Sequence, residues 1–206
     1  MTSIDAPAAT PSRERPLKWP LLLGCPLLIL ACFALMPDYA EELDVVGYML
    51  RVTARIAFVL LLLAYIARPL LRLVGVGRVL VTHRRYLGLA MAFAHTVHFF
   101  YVVRLTEVSP EPLGLITIVF GGLAFVLMWL MALTSNDAAA AALGRNWKRL
   151  HLFGLHYLWL IFMQSFAGRI GPEDEYFLYA GLTCAGLTAL VLRIWAWRSQ
   201  RLSRTT

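Results

Sequence analysis

Apolar residues run along this chain in long blocks, and polar residues gather between them instead of alternating with them on a helical or strand period. Six blocks stand out, at 19–36, 52–67, 87–103, 113–133, 150–167 and 176–197. Crossing roughly 30 Å of hydrocarbon at about 1.5 Å per residue takes about 20 mostly apolar residues. The pattern therefore predicts an all-α integral membrane protein, a bundle of six transmembrane helices. Pro37-Asp38, Ser109-Pro110 and Gly171-Pro172 mark turns between blocks. The alanine run 138–142, followed by Leu143-Gly144, predicts a short helix with a glycine stop.

Charge orients the bundle. The segments before the first block, at 68–85, at 135–149 and from Arg193 onward hold fifteen of the nineteen Lys and Arg residues and only Asp5, Glu14 and Asp137 among the acids. The alternate loops hold the other nine acids against Arg51, Arg104 and Arg169. Basic loops stay in the cytoplasm, so both termini are expected there, in a bacterial inner membrane. The expected organisation is a disordered cytoplasmic tail at 1–18, a transmembrane domain at 19–197 and a basic cytoplasmic tail at 198–206. No small-residue cleavage site follows the first block, which is therefore read as a helix and not as a removable leader.

Composition agrees. A mean hydropathy of +0.68 with 15% charged residues is too apolar for a soluble domain of this size. The net charge of +7 does not imply nucleic acid, because the basic residues lie between apolar blocks and form no patch interleaved with exposed aromatics. Membrane lipid is the expected partner. Cys25, Cys32 and Cys184 sit inside apolar blocks with no metal-ligand spacing and read as small buried hydrophobes.

Ionisable residues inside a span are functional candidates. Here they are histidines: His95 and His98 in the third block, His151 and His156 in the cytoplasmic half of the fifth. Those two spans start on the same side and run parallel, and imidazoles on facing helices are what a b-type haem needs for axial ligation. His95 and His156 differ by only ~3 Å in depth at 1.5 Å per residue, whereas His98 and His151 differ by ~15 Å. Arg51 and Arg55, spaced i, i+4, are candidates for propionate binding through the bidentate guanidinium fork. The bland alternatives are structural histidines bonded to neighbouring helices and arginines that snorkel to the interface.

Arg84-Arg85-Tyr86-Leu87-Gly88-Leu89 with His98 further on, then Leu143-Gly144 with Trp147-Lys148-Arg149-Leu150-His151, resemble the ferric reductase-like transmembrane domain family. The nearest branch is the haem-binding membrane subunit of bacterial methionine sulfoxide reductase systems. The resemblance covers about 52–179. It implies a six-helix bundle passing electrons across the membrane through b haems, with His98 matching the outer-side ligand and His151 the inner-side ligand. Their family partners are replaced. Gln164 stands thirteen residues after His151, where the sulfoxide reductase subunit has histidine. Arg84 stands fourteen before His98, where the NADPH oxidase branch has histidine. Two bis-histidine haems cannot be built on that pattern, so one haem b per chain is expected, with His95 and His156 as substitute ligands.

The resulting expectation is a haem b membrane subunit carrying electrons from a cytoplasmic flavoprotein or quinone donor to a periplasmic acceptor protein. The chain has no Gly-rich nucleotide fingerprint, so any flavin comes through a partner. The alternative is a haem-free scaffold or small transporter retaining the same bundle.

Overall fold

In the computed structural model, which describes residues 18–171 and 175–202, every regular element is helical. Residues 1–17 of the expected N-terminal tail, Pro172, Glu173 and Asp174, and residues 203–206 lie outside the described residues. The helices are α1 (Lys18–Ala34), α2 (Glu42–Leu73), α3 (Arg78–Thr82), α4 (Arg84–Val108), α5 (Gly122–Leu133), α6 (Asp137–Leu143), α7 (Arg145–Ala167) and α8 (Tyr176–Leu202), with a π-helical turn at Thr117–Gly121 leading into α5.

Each apolar block became a helix. Helices α2, α4, α7 and α8 are long and apolar enough to cross a membrane. The π turn with α5 reaches that standard only when joined to α6, across a bend of 106°, and α1, at 17 residues, falls just short. The molecule is thus a multi-pass helical membrane protein with four or five such segments by length and composition. Its outer surface agrees, since Leu27, Leu30, Phe100, Val126, Leu160 and Trp195 are all exposed.

The 32-residue α2 is the central helix. It starts ten residues before the second apolar block because Glu42 and Asp44 in its first turn suit the positive end of the helix dipole. Met49, Thr53, Phe58, Leu61 and Tyr65 are buried along it at helical spacing. Its main neighbour is α4, and α4 in turn meets α1, where the Cys25 thiol donates to the Ala90 carbonyl at 3.4 Å. The α7–α8 contact is also close at Gly186. A side chain at Gly186 would place its Cβ 2.2 Å from Met163 Sδ and 3.2 Å from a Phe58 ring carbon. The Trp159 Nε1–H donates to the Gly186 carbonyl at 3.0 Å across that contact.

The charged segments separate in space as they do in sequence. Arg68, Arg84, Arg85, Lys148 and Arg193 converge on one end of the bundle. At the other end Arg104 pairs with Glu42 and Glu107, and Arg55 pairs with Glu175. Asn136 caps α6 by accepting from the Ala139 N–H at 2.8 Å, and Gly144, at φ 51°, ends it as the glycine stop predicts.

Candidate functional site

Two cavities lie between the helices, one towards each end. The larger, at the acidic end, has a volume of about 770 Å³, within the range of roughly 300–1,000 Å³ typical of cofactor sites. His95 and His98 of α4 border it, with Arg51 on α2, Gln164 on α7 and Arg169 just beyond α7. Apolar walls come from Phe99, Leu158, Phe162 and Phe166.

His98 is positioned by α2. Its Nδ1 lies 3.1 Å from the Leu50 carbonyl and 3.3 Å from Thr53 Oγ1, and the Thr53 hydroxyl donates its own proton to the Met49 carbonyl at 2.6 Å. Both neighbours are therefore acceptors, so Nδ1 carries the proton and Nε2 keeps a free lone pair. A backbone carbonyl holding the far nitrogen of an imidazole is the usual support of a metal-ligating histidine. His95 stacks on His98 with centroids 5.3 Å apart and planes 16° apart, and it packs against Phe162 at 5.4 Å. Its Nδ1 is buried with no hydrogen-bond partner. Two rings stacked on one helix cannot hold opposite faces of one iron.

The cations divide differently from the sequence expectation. Arg51 borders the cavity, but Arg55 is turned to Glu175 and to the Tyr179 hydroxyl, 3.3 Å away. Arg169 donates to the same hydroxyl at 3.4 Å and borders the cavity with Arg51. In sequence Arg169 is one of three bases among nine acids, and nothing in its spacing marks it. The guanidinium hydrogen bond from Arg55 holds the Glu175 carboxyl below its ordinary value.

His151 borders the smaller cavity, of about 450 Å³, at the basic end. It stacks on Trp147 at 4.1 Å, and its Nε2 lies 3.1 Å from the Thr134 hydroxyl, which itself donates to the Leu130 carbonyl at 2.6 Å. Nε2 is therefore the protonated nitrogen of His151. His156 borders neither cavity. It lies edge-on to Tyr65 at 5.5 Å, and its Nδ1 is 2.7 Å from the Leu152 carbonyl of its own helix. His95 and His156 consequently share no cavity, because two residues of depth match do not bring two helix faces together.

A haem needs an imidazole nitrogen with a free lone pair, cations for its propionates and an apolar slot. The cavity at the acidic end offers the Nε2 of His98, Arg51 with Arg169, and the phenylalanine walls. These residues fit the group. The cavity at the basic end fits it less well, since the Nε2 of His151 is engaged. Among the described residues no three His, Cys, Asp or Glu side chains come together as a set for a bare metal ion.

The chain is similar to the haem-binding subunit MsrQ of protein-methionine-sulfoxide reductase from several bacteria. The Cronobacter sakazakii protein is 31% identical over 164 residues, 72% of this chain and 74% of the relative. The Ralstonia nicotianae protein is 32% identical over 173 residues, 75% and 74% of the two chains. The Xanthomonas axonopodis pv. citri protein is 34% identical over 116 residues, 50% and 53%. No protein-family model matches the chain, and no solved structure matches it significantly.

Proposed function

Because this chain belongs to the family of haem-binding subunits of protein-methionine-sulfoxide reductase, we propose that it carries haem b in the membrane and delivers electrons to a reductase outside. The electrons come from a cytoplasmic flavoprotein or quinone. In this reading the chain crosses the bacterial inner membrane six times, with α1 and the π turn plus α5 as the two short spans, and the alternation of basic and acidic segments supports cytoplasmic termini. The segments 1–18 and 198–206 flank the transmembrane domain as cytoplasmic tails.

One haem per chain occupies the cavity at the acidic end. The observation that carries this reading is the hydrogen bond between His98 Nδ1–H and the Leu50 carbonyl, which leaves Nε2 as the ligating atom. Arg51 and Arg169 would hold the propionates, and His95 stacks beside the ligand as a packing partner. Arg55 acts at one remove, through Glu175 and Tyr179, by fixing the loop that carries Arg169 and the start of α8. Bound haem supplies a one-electron carrier. The chain would supply an imidazole nitrogen to the iron, Arg51 and Arg169 to the propionates and apolar walls to the ring. A haem held there would lie towards the acidic end of the bundle, the side on which the proposed acceptor stands.

A second haem at His151 is the competing arrangement, favoured by the cations around that cavity. It predicts two haems per chain and loss of one in His151→Ala.

The test of function is transfer to an acceptor. Haem in the purified, chemically reduced protein should reoxidise rapidly only when both a methionine sulfoxide reductase catalytic subunit and an oxidised methionine substrate are added. Reoxidation at the same rate without them contradicts the proposed role.

A further inference from the structure

The cavity at the basic end concentrates positive charge. Arg68, Arg84, Arg85, Lys148 and Arg193 line it, and no acid does. Only Arg85 has an ion-pair partner among the described residues, the exposed Asp137. Arg84 Nε donates to the Ala64 carbonyl at 3.0 Å and Arg193 Nη1 to the Tyr65 carbonyl at 3.0 Å. The Arg193 guanidinium also sits 4.5 Å over the Tyr65 ring. These neutral contacts fix the guanidinium groups in place without cancelling their charge. Several cations gathered in a partly enclosed site repel one another unless an anion joins them.

The same cavity has an apolar side. Leu61, Met91, Met128, Met131 and Leu155 form its wall, and Leu152, 55% exposed, continues that wall onto the outer surface of the bundle. Lys148 and Arg85 stand exposed at the charged end. An occupant that satisfies both halves carries anionic oxygens on an apolar body and reaches the cavity from the membrane.

We infer that this cavity is a headgroup site for an anionic phospholipid, with the phosphate held by Arg68, Arg84 and Arg193 and an acyl chain leaving over Leu152. Guanidinium forks match phosphate oxygens in pairs, and basic clefts between spans on the cytoplasmic side are suited to such headgroups. The site is separate from the His98 cavity and stands or falls without it.

The test is native mass spectrometry of the haem-loaded protein released from nanodiscs of mixed dioleoyl-phosphatidylglycerol and dioleoyl-phosphatidylcholine. Preferential retention of phosphatidylglycerol is expected. Lys148→Gln and Arg68→Gln should each reduce that preference about fivefold, and Lys148→Arg should retain it. Neither replaced side chain anchors a backbone carbonyl, and thermal unfolding in phosphatidylcholine alone should match the parent. Equal retention of both lipids, or an unchanged preference in both glutamine variants, overturns the proposal. So does displacement of the lipid by a soluble phosphate monoester, which would assign the cations to a soluble ligand. A count of two haems per chain, with one lost in His151→Ala, overturns it as well and leaves the His98 site untouched.

Discussion

At the scale of single residues, the distinction between His98 and the other histidines lies in which ring nitrogen is engaged. His98 spends Nδ1 on Leu50 and borders the larger cavity, whereas His151 spends Nε2 on Thr134 and His156 borders neither of the two cavities. His156→Ala should therefore leave haem content unchanged, which a pyridine haemochromogen assay checks. Thr53→Val removes the hydroxyl beside His98 Nδ1 while leaving the Leu50 carbonyl. Outer-shell losses of this kind weaken metal binding by about 10- to 100-fold, so haem affinity in titration should fall without vanishing. Gln164 borders the same cavity where the resemblance implies a second imidazole, so a haem held there would have His98 as its one histidine ligand. Carbon monoxide should then shift the Soret band of the reduced protein, and a spectrum indifferent to carbon monoxide would mean a second strong ligand. The sequence exposed the histidines and the missing partners. It could not expose Arg169 or the pairing of Arg55, because both depend on the tertiary contacts of Tyr179 and Glu175 with residues far away in sequence.

At the scale of elements, the helices were readable and their ends were not. The block from 150 became a helix from Arg145, and that from 52 a helix from Glu42, because charged and aromatic residues outside the hydrocarbon continue a helix at no penalty. The helix α3 (Arg78–Thr82) follows Gly77, whose φ of 90° lets the chain turn, and its five residues carry too little pattern to be seen in advance. Helix contacts give two predictions. Gly186→Leu drives a side chain into Met163 and Phe58 and should destabilise the protein by about 1–3 kcal/mol, measured as a lowered thermal midpoint in detergent. The Arg55–Glu175 pair ties α2 to the start of α8, and its carboxyl titrates below the ordinary 4.5. A depressed carboxylate stabilises fully above the unfolded value and loses that contribution as pH falls through the folded one. Acidifying from pH 6 towards about 3 should lower the thermal midpoint of the parent more than that of Glu175→Gln; parallel curves would show that the pair contributes nothing.

At the scale of the whole molecule, the sequence and the structure agree on charge segregation, since residues from three of the four basic segments meet around one cavity while Arg55 and Arg104 with their acidic partners occupy the opposite end. With basic segments retained in the cytoplasm, a green fluorescent protein fused after Thr206 should fluoresce and an alkaline phosphatase fused there should be inactive; the reverse pattern contradicts the proposed orientation. In the proposed orientation the His98 cavity would lie nearer the outer face, the side on which the proposed acceptor stands. The central claim is that His98 ligates one haem b there. The most direct measurement is a dithionite-reduced minus air-oxidised difference spectrum with a haem count, on the parent and on His98→Ala expressed with ample haem. A b-type spectrum near one haem per chain that disappears in His98→Ala is the predicted result. A flat parent spectrum, or a variant that keeps its full haem, contradicts it and favours a bundle that serves as a haem-free scaffold or binds haem elsewhere.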